Sequence, residues 1–191
     1  MGQLEDALRS VVSVLEEQKL PYMLIGGMAN LIWGEPRTTQ DIDVTVRVEP
    51  SALVDTVAQL SQIFRALPKD PQAFVKQTRV LPIVTANGIR VDLIFAELPY
   101  QEAAIRRARP ISFGGIVVQV CSPEDLIIHK IISERPKDLD DVRGIIRTQR
   151  ARLDRAYLDP LVLGLAADLE RPEIRRYYLN LWRKPRTRKR T

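Results

Sequence analysis

The residues of this chain whose types and spacing could do chemistry lie between Gly26 and Asp43: Gly26-Gly27 at one end, Arg37-Thr38 further on, and Asp41-Ile42-Asp43 at the other end. Side chains along a strand alternate faces, so Asp41, Asp43 and Thr45 would share one face while Ile42, Val44 and Val46 share the other. Two like charges at that spacing repel one another unless a cation neutralises them, and oxygen-only ligands select a hard divalent ion such as magnesium. The glycines supply a complement, because backbone without Cβ atoms at a helix start lets N–H groups approach a phosphate. A phosphate cradle beside metal-binding carboxylates implies nucleotide chemistry.

Elements must position these groups. Residues 3 to 18 place Leu4, Leu8, Val11, Val12 and Leu15 on one face of an opening amphipathic helix, which Lys19-Leu20-Pro21 ends. A first strand over about 22–25, the glycine turn with a short helix, and a second strand over about 41–48 follow. Glu49-Pro50-Ser51 starts a second helix with Leu53, Val54, Val57 and Leu60 inward. Asn87-Gly88, tolerant of positive φ at both positions, predicts a two-residue hairpin joining 79–86 to 89–95. That hairpin puts a third carboxylate, Asp92, on its second strand, on either face relative to Asp41 and Asp43. Gly114-Gly115 predicts a second hairpin. Ser122-Pro123 then reads as a cap and first helical residue, with Leu126, Ile127, Ile131 and Ile132 as the apolar stripe. Pro136 breaks this helix, another follows over 138–148, and residues 153–182 are helical with interruptions at Pro160 and Pro172.

The pattern of glycine turn, spacer Met28 to Gln40, and apolar-flanked Asp41 and Asp43, with Asp92 later, resembles the nucleotidyltransferases of the DNA polymerase β superfamily. Within it, Glu124-Asp125-Leu126 leading to Lys130, then Arg135-Pro136-Lys137-Asp138-Leu139-Asp140-Asp141, is similar to small proteins related to abortive-infection and tRNA-modifying toxins. The resemblance covers about residues 20–145. It implies an α/β (α+β) nucleotidyltransferase fold, a mixed sheet flanked by helices and followed by a helical C-terminal region. The corresponding divisions are a core over 1–121, a helical region over 122–182 packed on it, and a basic tail over 183–191 expected to be disordered. The resemblance further implies NTP as substrate and two magnesium ions on Asp41, Asp43 and Asp92, with Asp92 helping to deprotonate the acceptor. Gly26, Gly27, Arg37 and Thr38 would hold the nucleotide, and Lys130 would neutralise phosphate charge, positioned by Asp138 or Asp141. Simpler readings exist for several of these: Arg37 paired with Glu35, Asp92 at the surface of an edge strand, and Asp138 at a helix start favoured by the dipole.

Composition narrows the partners. The net charge of +5 owes much to arginines at 143, 147, 150, 152 and 155 and to the run from Arg183 to Arg190, which suits a polyanion such as RNA or serves solubility alone. The single cysteine, Cys121, excludes an intramolecular disulfide, and with no leader-like segment the expected compartment is cytoplasmic. No apolar run is long enough for a membrane helix, so no membrane partner is expected. His129, the only histidine, has no second metal ligand at suitable spacing and reads as a surface or packing residue; Trp33 and Trp182 read as core. The leading function is transfer of an NMP to an acceptor hydroxyl, on RNA such as a tRNA 3′ end, and the resemblance allows a toxin with a cognate antitoxin protein. Transfer to a protein or a small molecule, or a silent nucleotide-binding module, are the alternatives; an aminoglycoside acceptor would call for an acidic pocket that this basic chain does not suggest.

Overall fold

A computed structural model describes residues 2–133 and 135–183; the basic run from 184 onward lies outside the described residues. The chain divides into two compact units, Met1–Ser122 and the part from Pro123.

The first unit opens with helix α1 (Gln3–Glu17), whose stripe Ala7, Leu8, Val11, Val12 and Leu15 is buried as its periodicity predicts. Strand β1 (Tyr22–Ile25) runs straight into α2 (Gly26–Trp33), and a loop returns to β2 (Asp41–Val46). A single 3-10 turn leads into α3 (Leu53–Ile63), followed by β3 (Arg65–Ala66), α4 (Pro71–Thr78), β4 (Val80–Val84), β5 (Arg90–Phe95), α5 (Pro99–Arg106), β6 (Arg109–Phe113) and β7 (Ile116–Val120). The seven strands form one sheet in the order β3-β4-β5-β2-β1-β7-β6. It is mixed: β2 and β5 are parallel, as are β1 and β7, and the other neighbours are antiparallel. One face carries Ile42, Val44, Val46, Leu81, Ile83, Val91, Leu93 and Phe95, all buried, and this is the core that fixes the register.

Two local expectations in this unit need correction. Asn87-Gly88 joins the foreseen strands, but Thr85 N–H donates to the Ile89 carbonyl across a longer turn in which Gly88 alone (φ 83°) is left-handed. Gly114 (58°) and Gly115 (79°) do form the two-residue turn with both φ positive. Val54, expected inward, is 57% exposed, because the buried stripe of α3 is Thr56, Val57 and Leu60.

The second unit is helical: α6 (Pro123–Ser133), α7 (Pro136–Gln149), α8 (Arg155–Asp168) and α9 (Pro172–Leu181). Asp154 caps α8 by accepting from Tyr157 N–H at 3.1 Å, and α8 continues through Pro160 rather than breaking there. Its buried residues Leu158, Val162 and Ala166 keep the helical stripe on both sides of that proline. Among the described residues no helix is long and apolar enough to cross a membrane.

Candidate functional site

The parallel pairing of β2 with β5 sets Asp43 opposite Asp92 and Asp41 opposite Arg90. Residues opposite in register share a face, so the three carboxylates lie on one side of two neighbouring strands, away from the apolar core. Asp41 is exposed, and Asp43 and Asp92 are half-buried. A cation lies among them: the Arg90 fork donates to both Asp92 carboxylate oxygens, Nε to Oδ1 at 3.1 Å and Nη2 to Oδ2 at 3.2 Å. The Asp92 hydrogen bond and charge hold the guanidinium above its ordinary pKa, with smaller contributions from Asp41 and Asp43. Thr39 Oγ1 donates to Asp41 at 3.3 Å.

The glycine turn adjoins this cluster. Gly26 is left-handed (φ 66°), and a Cβ built on it would sit 1.9 Å from Oδ2 of Asp43. Both facts demand glycine. A Cβ on Gly27 would meet Thr39 Oγ1 at 2.3 Å. Gly26 therefore lets the backbone at the start of α2 close onto the carboxylate. The loop from α2 to β2 carries Arg37 and Thr38, and Arg37 Nη1 donates to the Thr38 carbonyl at 3.3 Å. A residue that sequence reasoning missed anchors this loop: Asn30, fully buried, donates from Nδ2 to the Glu35 carbonyl at 3.0 Å. Its signal was an amide in an otherwise apolar helix run.

Among the described residues no three His, Cys, Asp or Glu side chains converge closely enough to hold a metal ion. The donor set nevertheless fits a hard divalent cation, because it is all oxygen, shares one face, and already attracts the Arg90 guanidinium. Arg90 takes one acceptor site on each Asp92 oxygen, so an ion there would share the carboxylate with the guanidinium.

In the second unit Lys130 Nζ donates to Asp138 Oδ1 at 3.0 Å and to Asp141 Oδ2 at 2.7 Å, with all three side chains buried. Both aspartates thus hold the lysine, which ties α6 to α7. Burial pushes the Asp138 carboxyl up, but hydrogen bonds from Ser133, Lys130 and Arg135 outweigh it and hold the carboxyl below its usual range. Glu124 and Asp125, also buried, accept from Asp154 N–H at 2.8 Å and Tyr157 Oη at 2.7 Å, fastening α6 to the start of α8. His129 is half-buried, and desolvation pushes its imidazole down to about 4, with Asp125 opposing and Lys130 adding to the shift.

The arginine series is partly committed to structure. Arg143 pairs with Asp140 at 2.8 Å and Arg155 with Asp159 at 2.7 Å. Arg150 donates to the Trp182 carbonyl at 3.0 Å, and the guanidiniums of Arg150 and Arg155 lie 5.4 and 4.4 Å from the centroid of the Trp182 ring. Trp182 is therefore a half-exposed cation platform rather than core. Trp33, also half-exposed, donates to the Cys121 carbonyl at 2.8 Å.

A mixed sheet that presents such carboxylates beside a left-handed glycine turn defines the nucleotidyltransferase fold, and solved structures of that class superpose on this chain. An antigenic nucleotidyltransferase-like protein from Paracoccidioides brasiliensis is 19% identical, with 91% of each chain covered and a TM-score of 0.54. The antibiotic-resistance factor ANT(2'')-Ia is 14% identical, with 92% of this chain and 97% of its own covered and a TM-score of 0.59. The same factor in complex with adenylyl-2''-tobramycin gives 18% identity, 93% and 99% coverage, and 0.56. No curated protein matches the chain significantly. The chain belongs to the family of nucleotidyl transferases of unknown function (DUF2204), whose profile matches residues 4–163 and so reaches well past the segment on which the sequence resemblance rests.

Proposed function

We propose that the chain is a magnesium-dependent nucleotidyltransferase that moves an NMP from an NTP to an acceptor hydroxyl, with RNA such as a tRNA 3′ end as the acceptor. The observation that carries this reading is the register Asp43 to Asp92 beside the left-handed Gly26. Asp41, Asp43 and Asp92 would hold the divalent ions, two by the superfamily pattern, which neutralise the triphosphate and acidify the acceptor hydroxyl. N–H groups at the start of α2 are offered to phosphate by Gly26 and Gly27, and Arg37 with Thr38 is assigned to the β- or γ-phosphate. Asp92 receives the proton as the acceptor oxygen bonds to the α-phosphorus and the bond to the departing pyrophosphate breaks. Lys130, oriented by Asp141 and Asp138, is assigned to phosphate charge on the strength of the resemblance.

Incubation with each labelled NTP and magnesium, separately with total RNA, protein lysate and aminoglycosides, tests the reading. Label should enter RNA, and Asp43→Ala should abolish transfer while leaving thermal stability nearly unchanged or raised, because it removes a like charge. Label on protein or on an aminoglycoside would replace the RNA acceptor. NTP binding with no transfer at all would favour a silent module. The toxin role, with a cognate antitoxin, predicts growth arrest on expression that Asp43→Ala relieves.

A further inference from the structure

Beside the carboxylates, on the outer side of the sheet, an open cleft of about 510 Å³ is bounded by β4, α4 and the segment leading from β3, with Lys69, Phe74, Gln77, Pro82 and Arg90 on its walls. Its position follows from register. Pro82 on β4 lies opposite Asp92, so it shares the carboxylate face, and Arg90 stands both in the cleft wall and on Asp92. The glycine turn lies on the other side, at the end of β1, where Ile25 pairs with Asp43. Across the sheet the order is therefore glycine turn, Asp43, Asp92, cleft. Displacement at phosphorus needs the attacking oxygen and the departing pyrophosphate on opposite sides of the phosphorus. With the phosphates of the leaving group drawn to the helix start at Gly26, the attacking hydroxyl comes from the cleft.

We infer that this cleft is the acceptor subsite and that it takes the single-stranded 3′ end of an RNA. The inference rests on the nucleotidyl-transfer reading above and adds to it where the acceptor lies and what recognises it. Lys69 and Arg90 bring cationic groups to the walls, that of Arg90 shared with Asp92. The one lining carboxylate, Asp70, accepts from Ala73 N–H at 2.9 Å at the start of α4, where the helix dipole offsets part of its charge. Lys69 is exposed and has no ion-pair partner among the described residues, so it is available to a phosphate. Phe74, 37% exposed, offers a flat apolar face on which a base can stack. An aromatic face in the same cleft as an exposed lysine suits a nucleotide chain, whose bases stack and whose phosphates take the cation.

The test uses the full chain, NTP and magnesium, a short fluorescein-labelled single-stranded RNA with a free 3′ hydroxyl, and tobramycin as competitor. Lys69→Glu should raise the KM for RNA about tenfold and lower the salt slope of RNA binding by about one, and Phe74→Ala should raise that KM about tenfold, with kcat and the KM for NTP held within twofold. Lys76→Glu, the same charge change on α4 outside the cleft, should leave all of these unchanged. RNA transfer by the unaltered chain with Lys69→Glu and Phe74→Ala indistinguishable from it would overturn the subsite while leaving the enzymatic reading intact. Transfer to tobramycin but not to RNA would overturn the RNA subsite while leaving nucleotidyl transfer standing, and no NTP binding by the unaltered chain would overturn both.

Discussion

Arg90 does in this structure what a divalent ion would do, neutralising Asp92 by a fork and lowering the repulsion among Asp41, Asp43 and Asp92. The ion and the guanidinium therefore compete for one carboxylate. Arg90→Gln should raise the affinity for manganese in calorimetric titration and lower the melting temperature of the metal-free protein by a few degrees at most, since an exposed pair contributes about 1 kcal/mol or less. Weaker manganese binding in the variant would show instead that the fork orients Asp92 for the ion. Gly26 is a second position where one atom decides the outcome. Gly26→Ala would place a methyl 1.9 Å from the Asp43 carboxylate in a left-handed conformation, so the turn or the carboxylate must move. NTP binding followed by thermal shift should be lost, whereas Gly88→Ala, with open space around it but the same kind of φ, should alter stability only.

Between elements, the buried bridge from Lys130 on α6 to Asp138 and Asp141 on α7 is the connection whose removal is felt most. Lys130→Met takes this cation from buried Asp141 and leaves Asp138 with Arg135 alone, and it should destabilise the second unit by about 3–5 kcal/mol in urea unfolding, part of which adding Asp141→Asn should restore. Acid acts on the same helices. The folded imidazole of His129 titrates at about 4 against 6.5 unfolded, so its contribution to stability is present above pH 6.5 and lost as pH falls toward 4. Asp138, also held low, adds a loss below its ordinary value of 3.8. Followed by Trp182 fluorescence in a Trp33→Phe background, the second unit should lose stability from pH 6.5 to 4, and His129→Gln should flatten that decline. How much of this was legible in the sequence differs between elements. Strong local signals sufficed for α1, for β1 with its glycine turn, for the Gly114-Gly115 hairpin and for the place, though not the turn length, of the Asn87-Gly88 one, because periodicity and left-handed glycines act over a few residues. The helix α4 escaped notice although Asp70-Pro71 is a cap followed by a first-turn proline, since only Val75 of that helix is buried and no apolar stripe marks it. The face of Asp92 was open for a physical reason: it depends on the pairing of β2 with β5, strands far apart in sequence, and on a core that sets their register. Arg90 was not singled out at all, because a fork two residues along one strand depends on rotamers rather than on pattern.

At the scale of the whole molecule, the net charge of +5 is distributed less freely than the sequence suggests. Arg143, Arg150 and Arg155 are occupied within the second unit, so removing any of them should disturb stability as well as binding. The salt dependence of RNA binding should accordingly respond more cleanly to Lys69→Glu than to Arg150→Ala, which also lowers the melting temperature by loosening Trp182. The ends of the sheet have a different consequence. One end is β3, only two residues long, and the other is β6, which begins with Arg109-Pro110. A proline on an edge strand presents no N–H to a newcomer, and a charge beside it must be desolvated before another strand can dock. The molecule is therefore guarded at both rims against fibril growth by strand addition. Replacing Arg109-Pro110 by Val-Val should bring on light scattering and thioflavin fluorescence at concentrations where the parent solution stays clear.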